Sequence, residues 1–218
     1  MKLAAPALIF DLDGTLIDSI DDLADAANAA LSAYKLPTHP VAPYNYFVGD
    51  GMENLMRRAA PQGTEEAIIK KLLERVTEIY ATGWAKKTRA YEGIPAMLTR
   101  LAASGRKLAV LSNKPHEFTV SVTAHFFPDV SFAAVQGSPK GGKAKPEPGM
   151  ALAMAEKIGV APKDIVFMGD TRTDMKTATN AGMVPLGVLW GFRPRSELEE
   201  HGAAIIIAKP EDLFMHLA

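Results

Sequence analysis

The sequence predicts an α/β fold, a parallel sheet with helices on both faces, interrupted by a helical insertion. Three observations carry this prediction. Short apolar runs recur along the chain and stop at Gly, Asp or Ser. From residue 88 onward, stretches of helical spacing lie between those runs, the order that parallel sheets require. Between the first run and the rest, from about Ile20 to about Lys87, the spacing is helical and no strand pattern occurs. The expected division is therefore an α/β core of residues 1–18 and 88–218, with residues 19–87 inserted. A chain of 218 residues fits one domain plus a modest insertion, at about 150 residues per domain.

The elements follow in order. Leu8-Ile9-Phe10 is closed by Asp11-Leu12-Asp13-Gly14-Thr15 and reads as a buried strand ending in a turn. After Ser19 the period changes, and Leu23, Ala26, Ala27, Ala30, Leu31 and Tyr34 share one helical face with acids opposite. Pro37, Pro40 and Pro43 end that helix. Met52, Leu55, Met56 and Ala59 mark a second helix, closed by Pro61. Ile68, Leu72, Val76 and Ile79 mark a third, with Thr64 as expected cap and Glu65 and Glu66 near the positive end of its dipole. Strands are then expected at Lys107–Leu111, Phe132–Val135, Ile165–Met168, Pro185–Leu189 and Ala204–Ile207. Helices are expected at Ile94–Ala103, Pro115–Phe126, Pro148–Ile158 and Asp174–Ala181.

Composition narrows the function. Hydrophobic residues make up 48% and charged residues 22%, the balance of an ordinary soluble domain. A formal charge of −1 gives no long-range field for nucleic acid or an anionic membrane, so neither partner is expected. The absence of cysteine excludes disulfides, thiolate nucleophiles and Cys-held metals. No apolar run approaches the roughly 20 residues that span a bilayer. The run from Leu3 to Phe10 is stopped by Asp11 and Asp13 without a small-residue cleavage site, so a signal peptide is not expected. A reducing, cytoplasmic setting is.

Ligands of open parallel sheets bind beyond the carboxyl ends of the strands. Asp11, Asp13 and Thr15 follow the first expected strand, Ser112 and Asn113 the second, and Gly169, Asp170, Thr171 and Asp174 the strand at Ile165. Lys145 lies in a turn-rich stretch before the Pro148 helix. Four carboxylates at one edge need a counter-charge, and an oxygen-rich site without Cys or clustered His suits Mg²⁺. His39, His116, His125, His201 and His216 are scattered, so no His metal site is read. A carboxylate can attack phosphorus, and a second one two residues on can give and take the proton. Lysine and Mg²⁺ would neutralise the transferring phosphoryl group, with Thr15, Ser112 and backbone N–H groups around its oxygens.

These residues carry a resemblance. Asp11-Leu12-Asp13-Gly14-Thr15-Leu16, Leu111-Ser112-Asn113, Lys145-Pro146-Glu147-Pro148 and Gly169-Asp170-Thr171 with Asp174 are similar, in order and position, to the four motifs of the haloacid dehalogenase superfamily of phosphatases. The resemblance covers essentially the whole chain. It implies a Rossmann-like parallel sheet core with helices on both faces plus an inserted helical cap domain. It implies Asp11 as nucleophile, Asp13 as acid and base, and Mg²⁺ held by Asp11, the backbone carbonyl of Asp13 and Asp170. Asp174 would support the metal shell, and Thr15, Ser112, Asn113 and Lys145 would surround the phosphoryl group. Val48-Gly49-Asp50-Gly51-Met52, Ser112-Asn113-Lys114-Pro115 and Gly187-Val188-Leu189-Trp190-Gly191-Phe192-Arg193 resemble the phosphoglycolate phosphatase subgroup. The implied reaction is Mg²⁺-dependent hydrolysis of a small phosphorylated metabolite, with 2-phosphoglycolate the first substrate expectation. Pyrophosphatase, nucleotidase and sugar-phosphate phosphatase of the same superfamily are alternatives, as are a phosphomutase and a non-enzymatic phosphometabolite-binding regulator.

Plainer readings stand beside several of these residues. Asp-x-Asp-Gly-Thr and Gly-Asp-Thr are also ordinary turn chemistry. Lys140 and Lys143 compete with Lys145, which is chosen because Lys-Pro-x-Pro matches the family pattern. Gly49, Asp50 and Gly51 are candidates for gating or selecting the substrate, or simply begin a helix. Arg57 and Arg58 read first as solvated helix charges, second as partners of a substrate carboxylate. Trp190 and Phe192 read as packing residues.

Overall fold

The computed structural model describes residues 2–139 and 143–218. In chain order, β1 (Ala7–Phe10) leads to β2 (Ile17–Asp18), then to four helices, α1 (Ile20–Ala33), α2 (Tyr44–Phe47), α3 (Met52–Ala59) and α4 (Glu66–Ala81). β3 (Arg89–Ala90) brings the chain back. Then come α5 (Ile94–Ala103), β4 (Lys107–Pro115), α6 (His116–Phe126), β5 (Ala134–Ser138), α7 (Gly149–Ile158) and β6 (Ile165–Gly169). The chain ends through α8 (Arg172–Asn180), β7 (Val184–Val188), α9 (Arg195–Glu200), β8 (Ile205–Ile207) and α10 (Leu213–His216).

The main sheet has six parallel strands in the order β5-β4-β1-β6-β7-β8. β1 is central because all four of its residues are apolar and buried. Leu8 and Phe10 enter the apolar layer on one face, Ala7 and Ile9 the layer on the other. From β1 the chain builds outward through β4 and β5, then returns to build β6, β7 and β8 on the other side. The carboxyl ends of β1, β4 and β6 therefore meet where the winding reverses, the position at which such sheets bind ligands.

Helices α1 to α4 bury a separate apolar cluster that includes Leu23, Leu31, Met56, Leu72, Val76 and Tyr80. β2 and β3 form an antiparallel ribbon at the two points where the chain leaves and rejoins the sheet region. Asp22, at the start of α1, accepts hydrogen bonds from the Lys87 and Thr88 amides and the Thr88 hydroxyl, at 2.8 to 3.1 Å. No helix among the described residues is long and apolar enough to cross a membrane.

Several expectations shift in detail. β5 begins at Ala134, not Phe132, because Phe132 turns aside to meet Phe127 edge-on. β4 continues past Leu111 to Pro115, with an irregular register after Leu111, and α6 accordingly begins at His116. The buried face of α4 runs Ile69, Leu72, Val76, Tyr80, one residue off the expected stripe at both ends. The ribbon β2–β3 and the short helices α2 and α9 are additions, each too short to show a period.

Candidate active site

Asp11 follows β1 directly, and its amide donates to the Met168 carbonyl of β6 at 2.9 Å. That bond aims the chain out over the sheet edge. Asp170 follows β6, and Asp174 sits in the first turn of α8, accepting from the Thr171 amide and hydroxyl at 3.0 and 2.7 Å. Carboxylate oxygens of Asp11, Asp170 and Asp174 lie within 4.8 Å of one another, all buried. Lys145 enters from the turn before α7, its ammonium 2.8 Å from Asp11 Oδ1 and 2.7 Å from Asp174 Oδ1. Burial opposes charge on this lysine, but the two carboxylates outweigh it and raise its pKa.

The electrostatics of the cluster suit a bound cation. Burial pushes the Asp11 carboxyl up to about 7, with Asp174 adding to the rise and Lys145 opposing it. Asp170 is raised well above its ordinary value by burial and by Asp174 and Asp11, against the Phe192 amide and Arg193. Four carboxylates here, Asp11, Asp13, Asp170 and Asp174, face two buried ammonium groups, Lys114 and Lys145. The all-oxygen donor set and the excess of negative charge fit a hard divalent metal. Gly14 makes the close approach feasible: its φ is +82°, and a Cβ there would collide with the Asp170 carboxylate.

Asp13 points away from that cluster, into the neighbouring cavity. Its Oδ1 accepts from Ser19 Oγ at 2.6 Å, and Lys114 Nζ reaches Oδ1 at 2.9 Å and Oδ2 at 2.8 Å. The third donor of Lys114 meets the Tyr80 hydroxyl, at 2.9 Å, from helix α4. The cavity is lined by Asp11, Asp13, Ser112, Asn113 and Lys114 from the sheet edge. Leu23, Val48, Met52 and Leu55, with Gly49 and Gly51, line it from the helical insertion.

The remaining candidates divide. Ser112, Gly49 and Gly51 line the cavity. Thr15 does not; it is fully buried and its hydroxyl lies 3.3 Å from Asp170 Oδ1. Asn113 spends its amide on backbone, donating to the Gly49 and Lys145 carbonyls at 3.0 Å each and accepting from the Lys145 amide at 2.9 Å. Asp50 turns outward to Arg58 and Thr173, which outweigh its burial and lower its pKa. Arg58 is held by that pair and Arg57 by Glu53 and Glu66, so neither lines the cavity. Lys143 is exposed, and Lys140 lies outside the described residues. Phe192 packs among the insertion helices, and Trp190 packs on the sheet layer, its Nε1 donating to the Thr15 carbonyl at 2.9 Å. Lys114 and Arg193 belong to stretches that carry the subgroup resemblance without an individual role, and Tyr80 belongs to none. Arg193 donates to the Val48 carbonyl at 3.0 Å and pairs with Glu197 at 3.3 Å. The signal for Lys114 is its place in the stretch Ser112-Asn113-Lys114-Pro115.

The sequence profile of the haloacid dehalogenase-like hydrolases matches residues 8–188. The chain belongs to the haloacid dehalogenase-like hydrolase family. It is an enzyme of that family, and the fold and family implied by the four motifs are both borne out. Among its relatives, a phosphoglycolate phosphatase of Psychrobacter arcticus is 32% identical over 200 residues, 88% of this chain and 87% of that one. A phosphoglycolate phosphatase of Haemophilus influenzae is 31% identical over 190 residues, covering 84% and 85% of the two chains. A crystal structure of a Lactobacillus delbrueckii subsp. bulgaricus protein, assigned provisionally as a phosphoglycolate phosphatase, superposes with a TM-score of 0.89 at 30% identity over 97% of each chain.

Proposed function

We propose that this hydrolase releases inorganic phosphate from a small phosphomonoester through a phosphorylated Asp11, with 2-phosphoglycolate as substrate. The observation that carries the reading is the 2.8 Å approach of Lys145 to Asp11 beside the Asp170–Asp174 pair. It provides an oriented nucleophile with positive charge beside the phosphorus it would attack. The names of the two bacterial relatives point to the same substrate.

The chemistry balances on this chain's own residues. An Asp11 oxygen attacks phosphorus while the ester P–O bond breaks, and the leaving oxygen takes a proton from Asp13. Asp13 then accepts a proton from water, whose oxygen attacks phosphorus and breaks the P–O bond to Asp11, freeing phosphate. Ser112 and Lys145 hold phosphoryl oxygens through both steps. Asp11, Asp170 and the Asp13 carbonyl would hold Mg²⁺, with Asp174 orienting the set, and the ion would add positive charge at the phosphoryl group. Thr15 and Asn113 act as supports, since their polar atoms are already engaged by Asp170 and by backbone.

The leaving-group side of the cavity favours a small substrate. Leu23, Val48, Met52 and Leu55 offer no hydrogen bond to sugar or nucleoside hydroxyls, which would be left unpaired on binding. The division into residues 1–18 with 88–218 and a closing body of residues 19–87 belongs to this reading, because the acyl phosphate needs protection from stray water. So does action in the reducing cytoplasm, consistent with a chain that has no cysteine.

The test is phosphate release in Mg²⁺ from 2-phosphoglycolate, pyrophosphate, a nucleoside monophosphate and glucose 1-phosphate, together with a search for phosphate bound covalently to the protein. The expected result is preference for 2-phosphoglycolate and a trapped phosphoenzyme that Asp11→Asn cannot form. Full turnover by Asp11→Asn would overturn the reading.

A further inference from the structure

The cavity beside Asp13 contains one cationic side chain among its described lining residues, Lys114. This side chain is buried at the cavity wall and its ammonium makes three hydrogen bonds, two to the oxygens of one carboxylate and one to the Tyr80 hydroxyl. The opposite wall is aliphatic, and the arginines of α3 face elsewhere. A negatively charged leaving group entering this space finds a single partner of opposite sign.

Resting on the phosphatase reading, we propose that Lys114 is the specificity-determining residue of this enzyme, binding a carboxylate one carbon removed from the ester oxygen of the substrate. The geometry of Asp13 explains why that spacing fits. Ser19 and Lys114 together hold Oδ1, whereas Oδ2 is engaged by Lys114 alone among the hydrogen bonds described. When Lys114 turns one N–H from Oδ2 to the incoming carboxylate, it keeps its bonds to Oδ1 and Tyr80. The same movement releases Oδ2 to face the ester oxygen. Because Lys114 Nζ lies 2.8 Å from Oδ2, a group bonded to Oδ2 and a group bonded to Lys114 must be near neighbours on the same small molecule. An α-carboxylate such as that of 2-phosphoglycolate meets this condition. A neutral leaving group leaves the Lys114–Asp13 pair closed and must open it uncompensated.

The test compares 2-phosphoglycolate with 2-hydroxyethyl phosphate, which replaces the carboxylate by a neutral arm of similar length. The readout is the ratio of their kcat/KM values in wild type, Lys114→Met and Lys114→Arg. The expected result is a wild-type ratio well above one that falls between about tenfold and about a hundredfold in Lys114→Met, the range for losing a hydrogen bond to a charged group. Lys114→Arg should recover part of it. Glycolate should inhibit 2-hydroxyethyl phosphate hydrolysis by the wild type at concentrations where ethylene glycol does not, and should lose that effect in Lys114→Met. An equal loss on both substrates would overturn the proposal and reduce Lys114 to a support for Asp13. If Lys114→Met does not fold, the wild type alone decides: no preference for the carboxylate and no inhibition by glycolate would overturn it. Failure to release phosphate from any monoester would instead overturn the phosphatase reading on which it rests.

Discussion

The side-chain amide of Asn113, at the end of the sheet, donates to the main-chain carbonyl of Gly49 in the helical insertion at 3.0 Å. The same amide holds the turn that carries Lys145. One residue thus links the wall of the cavity to the lysine of the carboxylate cluster.

Asn113→Ala removes all three of these hydrogen bonds from a buried position. It should destabilise the protein by about 1–3 kcal/mol and lower kcat/KM by at least about tenfold. Thermal melts and steady-state kinetics check both. A melt shift without a kinetic loss would show that the link has no bearing on the site.

Asp11→Asn keeps the shape of the side chain and removes its charge. Turnover on 2-phosphoglycolate should fall at least about a thousandfold while the circular dichroism spectrum is unchanged. Retained hydrolysis of p-nitrophenyl phosphate would exclude Asp11 as the attacking group.

The raised carboxyl of Asp11 gives a signed pH dependence in the metal-free protein. Its folded-state value of about 7 exceeds the ordinary carboxyl value of 3.8, so the folded state binds the extra proton between them. That contribution to stability is complete below about pH 4 and is lost as the pH rises to about 7. In EDTA, the melting temperature of wild type relative to Asp11→Asn should therefore fall across this interval. Mg²⁺ should raise the wild-type melting temperature more at pH 8 than at pH 5, since it competes with protons for the same oxygens. A wild-type-minus-variant difference that is flat with pH would contradict the assignment.

Gly14→Ala introduces a Cβ against the Asp170 carboxylate at a residue with φ of +82°. Activity should be lost, and Mg²⁺ should no longer shift the melting temperature. Calcium should not replace Mg²⁺ in the wild-type enzyme, because its looser coordination tolerates an Asp11 position unsuited to attack. Isothermal titration and phosphate release measure these outcomes.

The polar groups at the strand ends were legible because each apolar run is cut off by them. Asp11 and Asp170 stand one residue beyond their strands. Lys114 and Tyr80 were not legible. Tyr80 falls within the apolar stripe of α4 and reads as core, which it is, yet its hydroxyl reaches the sheet edge. Lys114 acquires its role from Asp13, a contact across 101 positions of sequence that no local spacing encodes. Thr15 and Asn113 stand at strand ends in the sequence, but which atoms they turn toward the carboxylates and Lys145 depends on tertiary hydrogen bonds. The helix α9 has one buried residue, Leu198, in six, too little for a period.

The β2–β3 ribbon has a consequence for how this architecture can be altered. Asp18 and Arg89 stand side by side in antiparallel register, their Cα atoms about 5 Å apart. Everything between them hangs from adjacent chain ends, and its helices bury an apolar cluster that Phe192 of the core also enters. A graft between these two residues would leave every strand of the main sheet continuous, but it would have to supply again the hydroxyls of Ser19 and Tyr80 that reach Asp13 and Lys114.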